Sequence, residues 1–126
     1  MAELAEIGIT KVATVTGVDM KTAAETTLYT PPAGKSFIPF AVCVRSNSAS
    51  LAGGTDYDFG AASGASTWVQ STDLSGMTVP TGQRWIFATA NTTYTPIPAL
   101  TAFVLKVSTG STDACTAPID VFGYLV

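Results

Sequence analysis

Short runs in which apolar and polar side chains alternate recur along the chain, each closed by glycine, proline or a Ser/Thr cluster. Such runs predict β-strands, and about eight can be counted, the number a jelly roll uses. They cover residues 7–16, 26–30, 36–45, 55–59, 67–71, 83–90, 101–107 and 119–125. Gly, Pro, Thr and β-branched residues interrupt every window long enough for three helical turns. Residues 19–26 could hold one or two turns behind an Asp19 cap, but a loop is favoured there. Evenly spaced short strands without intervening helices predict an all-β, antiparallel β-sandwich with jelly-roll or Greek-key connections.

The punctuation supports this reading. Pro31-Pro32-Ala33-Gly34-Lys35 fixes φ at two positions and permits positive φ at the glycine, so the chain can reverse there. Residues 46–54 end in Gly53-Gly54 and read as a longer loop. The run Phe37-Ile38-Pro39-Phe40-Ala41-Val42-Cys43-Val44 is apolar on both faces. Pro39 has no amide proton to donate, which places it on an edge strand or at a bulge. A greasy edge strand needs a cover, so this segment predicts a subunit contact. Residues 1–8 are expected to form a short arm or the start of the first strand, and residues 9–126 one β-sandwich domain. With no polar tail after Val126, the last strand is expected to be paired.

Composition sharpens the expectation of contacts. Only 12% of the residues are charged against 47% hydrophobic, whereas soluble domains carry about 25% charged residues. Ser, Thr, Asn and Gly can supply some of the polar surface, and burial against other subunits is expected to hide the rest. The net charge is −3, and the basic residues Lys11, Lys21, Lys35, Arg45, Arg84 and Lys106 are scattered singly. Phosphate tracking needs them clustered, so no nucleic-acid partner is expected. No basic start leads into an apolar run, and no stretch approaches the ~18 apolar residues of a membrane helix. Synthesis in a cytoplasm without membrane partners is the expectation. Cys43 and Cys115 are then expected to be free thiols, Cys43 as a core residue.

Candidate chemistry is sparse. The absence of histidine removes the common nucleophile-activating arrangements, and two cysteines cannot build a Cys₂His₂ or Cys₄ zinc site. Asp56 and Asp58 lie two apart in a predicted strand and share a face. Paired carboxylates can hydrolyse glycosides or bind Ca²⁺. Alternation favours instead a solvated outer pair with Tyr57 and Phe59 turned inward. No glycine-rich loop opens a helix ahead of Lys-Ser or Lys-Thr, so no phosphate cradle is expected. The chain is therefore expected not to be an enzyme and to carry no catalytic, cofactor or metal site. Trp85, between Arg84 and Ile86-Phe87, is expected to fill the core. An exposed aromatic groove for a sugar would centre on Tyr57, Asp58 and Trp68.

Several stretches are similar to small structural proteins, or fibre-terminal modules, of tailed bacteriophages. They are Thr14-Val15-Thr16-Gly17-Val18-Asp19, Thr27-Leu28-Tyr29-Thr30 running into Pro31-Pro32-Ala33-Gly34-Lys35, Ser50-Leu51-Ala52-Gly53-Gly54-Thr55-Asp56-Tyr57-Asp58-Phe59-Gly60, and Asp120-Val121-Phe122-Gly123-Tyr124-Leu125. The resemblance implies a virion component made in a bacterial host. It would be a head decoration or cement protein on the outer capsid, as a homotrimer contacting the major capsid protein, or else a receptor-binding fibre module. Beginning at Met1 without a shaft favours the stand-alone decoration protein. No catalytic residue carries over from the resemblance. Leu4, Ile7 and Ile9 on the arm, with Tyr57 and Trp68, are the expected partner contacts.

Overall fold

The computed structural model describes residues 9–62, 67–80, 82–88 and 96–126. Eight strands follow in chain order: β1 (Thr10–Asp19), β2 (Glu25–Tyr29), β3 (Phe37–Arg45), β4 (Asp56–Ala61), β5 (Val69–Thr72), β6 (Gln83–Phe87), β7 (Phe103–Thr109) and β8 (Thr116–Leu125). They form two four-stranded sheets, ordered β1-β8-β3-β6 and β2-β7-β4-β5, in which neighbouring strands run antiparallel. The first strand shares a sheet with the last, the second with the seventh, the third with the sixth and the fourth with the fifth. This nesting is a long hairpin rolled up on itself, the jelly-roll form of the β-sandwich.

Alternation explains the layers. Val42 and Val44 of β3, Ile119 and Val121 of β8, Tyr57 and Phe59 of β4, and Phe103, Leu105 and Val107 of β7 point into the space between the sheets and are buried together. Trp68 joins them at the β4–β5 turn, with its ring edge-on to Phe59 and Phe103 at 6.4 and 5.6 Å between centroids. The connection after β1 is a turn rather than a helix: the Asp19 carboxylate accepts the backbone N–H groups of Lys21 and Thr22 at 2.8 and 3.1 Å. The Thr22 hydroxyl, and after it the two accepted N–H groups, stabilise the anion, so its carboxyl sits below the ordinary value. The β3–β4 loop is held through Asn47. Its side-chain amide donates to the Ala49 and Val79 carbonyls at 2.7 and 3.0 Å and accepts from the Gly82 N–H at 3.0 Å. Those bonds tie the loop to the segment that leads into β6.

One expectation about β3 is corrected. It is an inner strand, hydrogen-bonded to β8 on one side and β6 on the other. Pro39 is accommodated because β6 pairs only from Ala41 onward, and because the register with β8 shifts between Pro39 and Ala41. The missing donor therefore falls at a bulge on a stretch that β6 does not reach. Opposite Pro39 stands Gly123, where an added Cβ would collide with the Ile38 carbonyl and the Phe37 ring. Only glycine lets the two backbones approach this closely.

A candidate interaction surface on the outer sheet face

The outer face of the β1-β8-β3-β6 sheet departs from the polar exterior that alternation normally gives. Cross-strand register sets Ala41 of β3 opposite Phe122 of β8 and Phe87 of β6, and in the next row Cys43 opposite Asp120 and Trp85. On β1, Lys11 faces Phe122 and Thr14 faces Asp120. The bulge at Phe40 matters here, because the extra residue turns its side chain away from the interior. Ile9, Phe40, Ala41, Trp85, Phe87 and Phe122 together line an open depression of about 420 Å³.

The exposure of its walls is unusual. Phe40 is 45% exposed, Trp85 42%, Phe87 51% and Ile9 48%. Apolar side chains scattered singly over a surface need no explanation, but a contiguous group marks a binding surface. The rings contact one another: Phe40 meets Phe87 edge-on at 5.7 Å, Trp85 stacks near-parallel to Phe87 at 6.2 Å, and Trp85 lies 5.2 Å from Phe122. Ring packing of this kind fixes the aromatics in place before anything binds.

A polar flank borders the aromatics. Arg45 Nε donates to Asp120 Oδ2 at 2.7 Å and its terminal NH₂ to Oδ1 at 3.3 Å, while the Thr14 hydroxyl donates to Oδ1 at 2.7 Å. The Arg45 guanidinium holds the Asp120 carboxyl below the usual carboxylate range, and Asp120 in turn raises Arg45. Asp120 is thus ionised and satisfied, which explains how a carboxylate stays buried among apolar neighbours. Beside it, burial pushes the Cys43 thiol up, and Gln83 Nε2 donates to its sulfur at 3.6 Å. Both Cys43 and Cys115 are buried free thiols.

A second, polar depression of about 280 Å³ lies where edge strands β5 and β6 approach; Ser71, Asp73, Arg84 and Trp85 contribute to it. Asp73 accepts the Ser75 hydroxyl and N–H at 2.6 and 2.9 Å, which lowers its carboxyl.

The expected contact residues fall differently from the sequence reading. Leu4 and Ile7 lie outside the described residues, and Ile9 lines the aromatic depression. Tyr57 is a correction: it is 0% exposed, its hydroxyl donating to the Met20 carbonyl at 2.6 Å, so it offers nothing to a partner. Trp68 is likewise corrected to a core residue, and Trp85, expected in the core, stands outside. The aromatic groove around Tyr57, Asp58 and Trp68 therefore does not form. Asp58 faces outward as alternation required, accepting the Ser71 N–H at 2.7 Å and the Ser108 hydroxyl at 3.1 Å. Among the described residues no three potential metal ligands come together.

Phe40, Phe87 and Phe122 escaped the sequence reading. A signal was present in Trp85-Ile86-Phe87, where two aromatics flank one aliphatic residue and only one parity can face the core. Comparison with family models, curated proteins and solved structures finds no match to this chain.

Proposed function

We propose that the chain is a structural subunit that associates with copies of itself and with a larger protein shell, in the manner of a tailed-phage head decoration protein. The observation that carries this reading is the exposed aromatic depression on the outer sheet face. Buried apolar surface contributes about 25 cal/mol per Å² before the costs of association, and repetition over a lattice turns weak contacts into firm attachment. The low content of charged residues supports the same reading, since such a surface keeps its solubility best when partly covered. Sedimentation of the purified protein, alone and mixed with decoration-free phage heads, tests it. Self-association and co-sedimentation are expected, both weakened by Phe87→Ser; a monomer that ignores heads would refute the reading.

A second reading, a receptor-binding module for glycans, draws on the polar depression, where the Trp85 ring stands with Arg84 and Asp73. An aromatic face with charged neighbours suits a pyranose ring better than the aromatic depression does, where the Trp85 indole N–H is the one polar side-chain group among the six lining residues. Glycan-array binding abolished by Arg84→Ala would favour it.

A further inference from the structure

Of the four strands that end a sheet, β1, β6, β2 and β5, three are blunted. The ladder of β1 with β8 shifts register twice, that of β2 with β7 once, and that of β5 with β4 once. Such offsets twist an edge away from any further strand. β6 has none: from Gln83 to Phe87 it pairs with β3 in unbroken register.

The other edge of β6 borders open space. Successive side chains of a strand point to opposite faces, so a hollow touched by four residues in a row lies beside the strand rather than over one face. The polar depression is touched by Arg84, Trp85, Ile86 and Phe87 in this way. Among the described residues β6 pairs with β3 alone. Backbone N–H and C=O groups left along the edge of an extended strand are matched in full by another extended strand.

The side chains of β6 specify which strand. Antiparallel pairing of two copies about a two-fold axis at Ile86 sets Trp85 of each opposite Phe87 of the other, so two aromatic cross-strand pairs form. An axis at Arg84 would oppose two guanidinium groups, and an axis at Trp85 would set each Phe87 against Gln83. The Ile86 register avoids both. It also covers rings that the single chain leaves 42% and 51% exposed. An axis normal to the sheet keeps the two outer faces on one side, so the aromatic depressions of the two copies join into one band.

We propose that two copies of the chain associate by antiparallel pairing of their β6 edges about a two-fold axis at Ile86, joining two four-stranded sheets into one of eight strands. The inference rests on the reading of this face as an assembly surface and names the contact between copies. The contact is isologous and closes with two subunits.

The test follows backbone amide exchange of the unsubstituted chain, dilute and at concentrations where it associates. Association is expected to slow exchange within Gln83–Phe87 about tenfold, with the free edges of β1, β2 and β5 unchanged. Register is read by mixing and oxidising full-length Arg84→Cys and Ala88→Cys, two exposed positions that the Ile86 register sets opposite each other. A mixed disulfide is expected, because two chains of the same variant hold their cysteines about 14 Å apart along the strands, beyond the ~7 Å reach of a disulfide. Cys43 and Cys115 are buried, and the unsubstituted chain treated alike is the control. Disulfides within one variant, or none, would overturn the register, and protection gained on another edge would overturn the pairing. Association that falls with Phe87→Ser while the β6 amides exchange as in the monomer would also overturn the pairing and leave the assembly surface standing. A chain that stays monomeric at every concentration would remove the assembly reading, and this inference with it.

Discussion

At the scale of single residues, the buried groups are those whose ionisation or size the packing has fixed. Burial pushes Tyr57 up to about 12 from its ordinary 10.0. A phenol harder to ionise when folded contributes stability that is fully present below the unfolded value and is lost as pH rises through the folded one. Stability should therefore fall between about pH 10 and pH 12, with a steeper slope than in Tyr57→Phe. Denaturant melts over that range check it, and identical slopes would remove Tyr57 as the cause. At neutral pH the same substitution should cost about 1 kcal/mol, because the Met20 carbonyl keeps the Ser111 N–H when it loses the hydroxyl. Gly123 is set by size rather than charge. Gly123→Ala drives a methyl against the Ile38 carbonyl and the Phe37 ring, where backbone cannot yield as a flexible side chain could. Overpacking of this kind costs roughly 1–3 kcal/mol. A thermal midpoint equal to that of the unsubstituted protein would show that β3 and β8 can separate there without loss.

At the scale of elements, β6 divides stability from association within five residues. Ile86 points inward and is buried, while Trp85 and Phe87 point outward. Ile86→Ala should destabilise by about 2–4 kcal/mol through lost burial and the cavity it leaves. Phe87→Ser should leave the unfolding free energy within about 1 kcal/mol and reduce association instead, since surface substitutions act weakly on stability. Chemical denaturation and sedimentation of the two variants separate the effects, and the reverse pattern would mean that the parity of β6 has been misread. Parity is also what the sequence could and could not convey. The strands were legible because turn residues bound each apolar run, and all eight lie where runs were expected, with ends displaced by a few residues. The inner position of β3 was not legible, because pairing with both β8 and β6 depends on long-range order that local pattern does not encode. Nor was the exchange of roles between Trp68 and Trp85. Both stand in short β-like runs, and only the β4–β5 turn carries Trp68 over the core while the pairing of β6 with β3 turns Trp85 outward. The outward aim of Phe40 needed the bulge, a one-residue offset that becomes visible only once β8 is paired.

At the scale of the whole molecule, the two kinds of contact this surface could make respond oppositely to solution conditions. The aromatic depression is lined by apolar residues; of the charges on the same sheet face, Arg45 and Asp120 satisfy each other, and Lys11 stands level with Phe122 at its margin. An association that buries such a face should be nearly indifferent to chloride salt between about 0.01 and 1 M, although the screening length falls from about 30 to 3 Å over that range. Sulfate, which strengthens apolar burial by exclusion from the surface, should tighten the association, and the heat-capacity change on binding should be negative. Had the scattered basic residues governed assembly, dilute salt would instead favour it and chloride would dissolve it. Titration calorimetry at several temperatures, paired with sedimentation across the salt series, distinguishes the two. A steep loss of association in chloride would move the interface from the aromatic rows to the molecule's few charges. Phe40, Trp85 and Phe87 would then be left exposed on a free subunit without a role that accounts for their exposure.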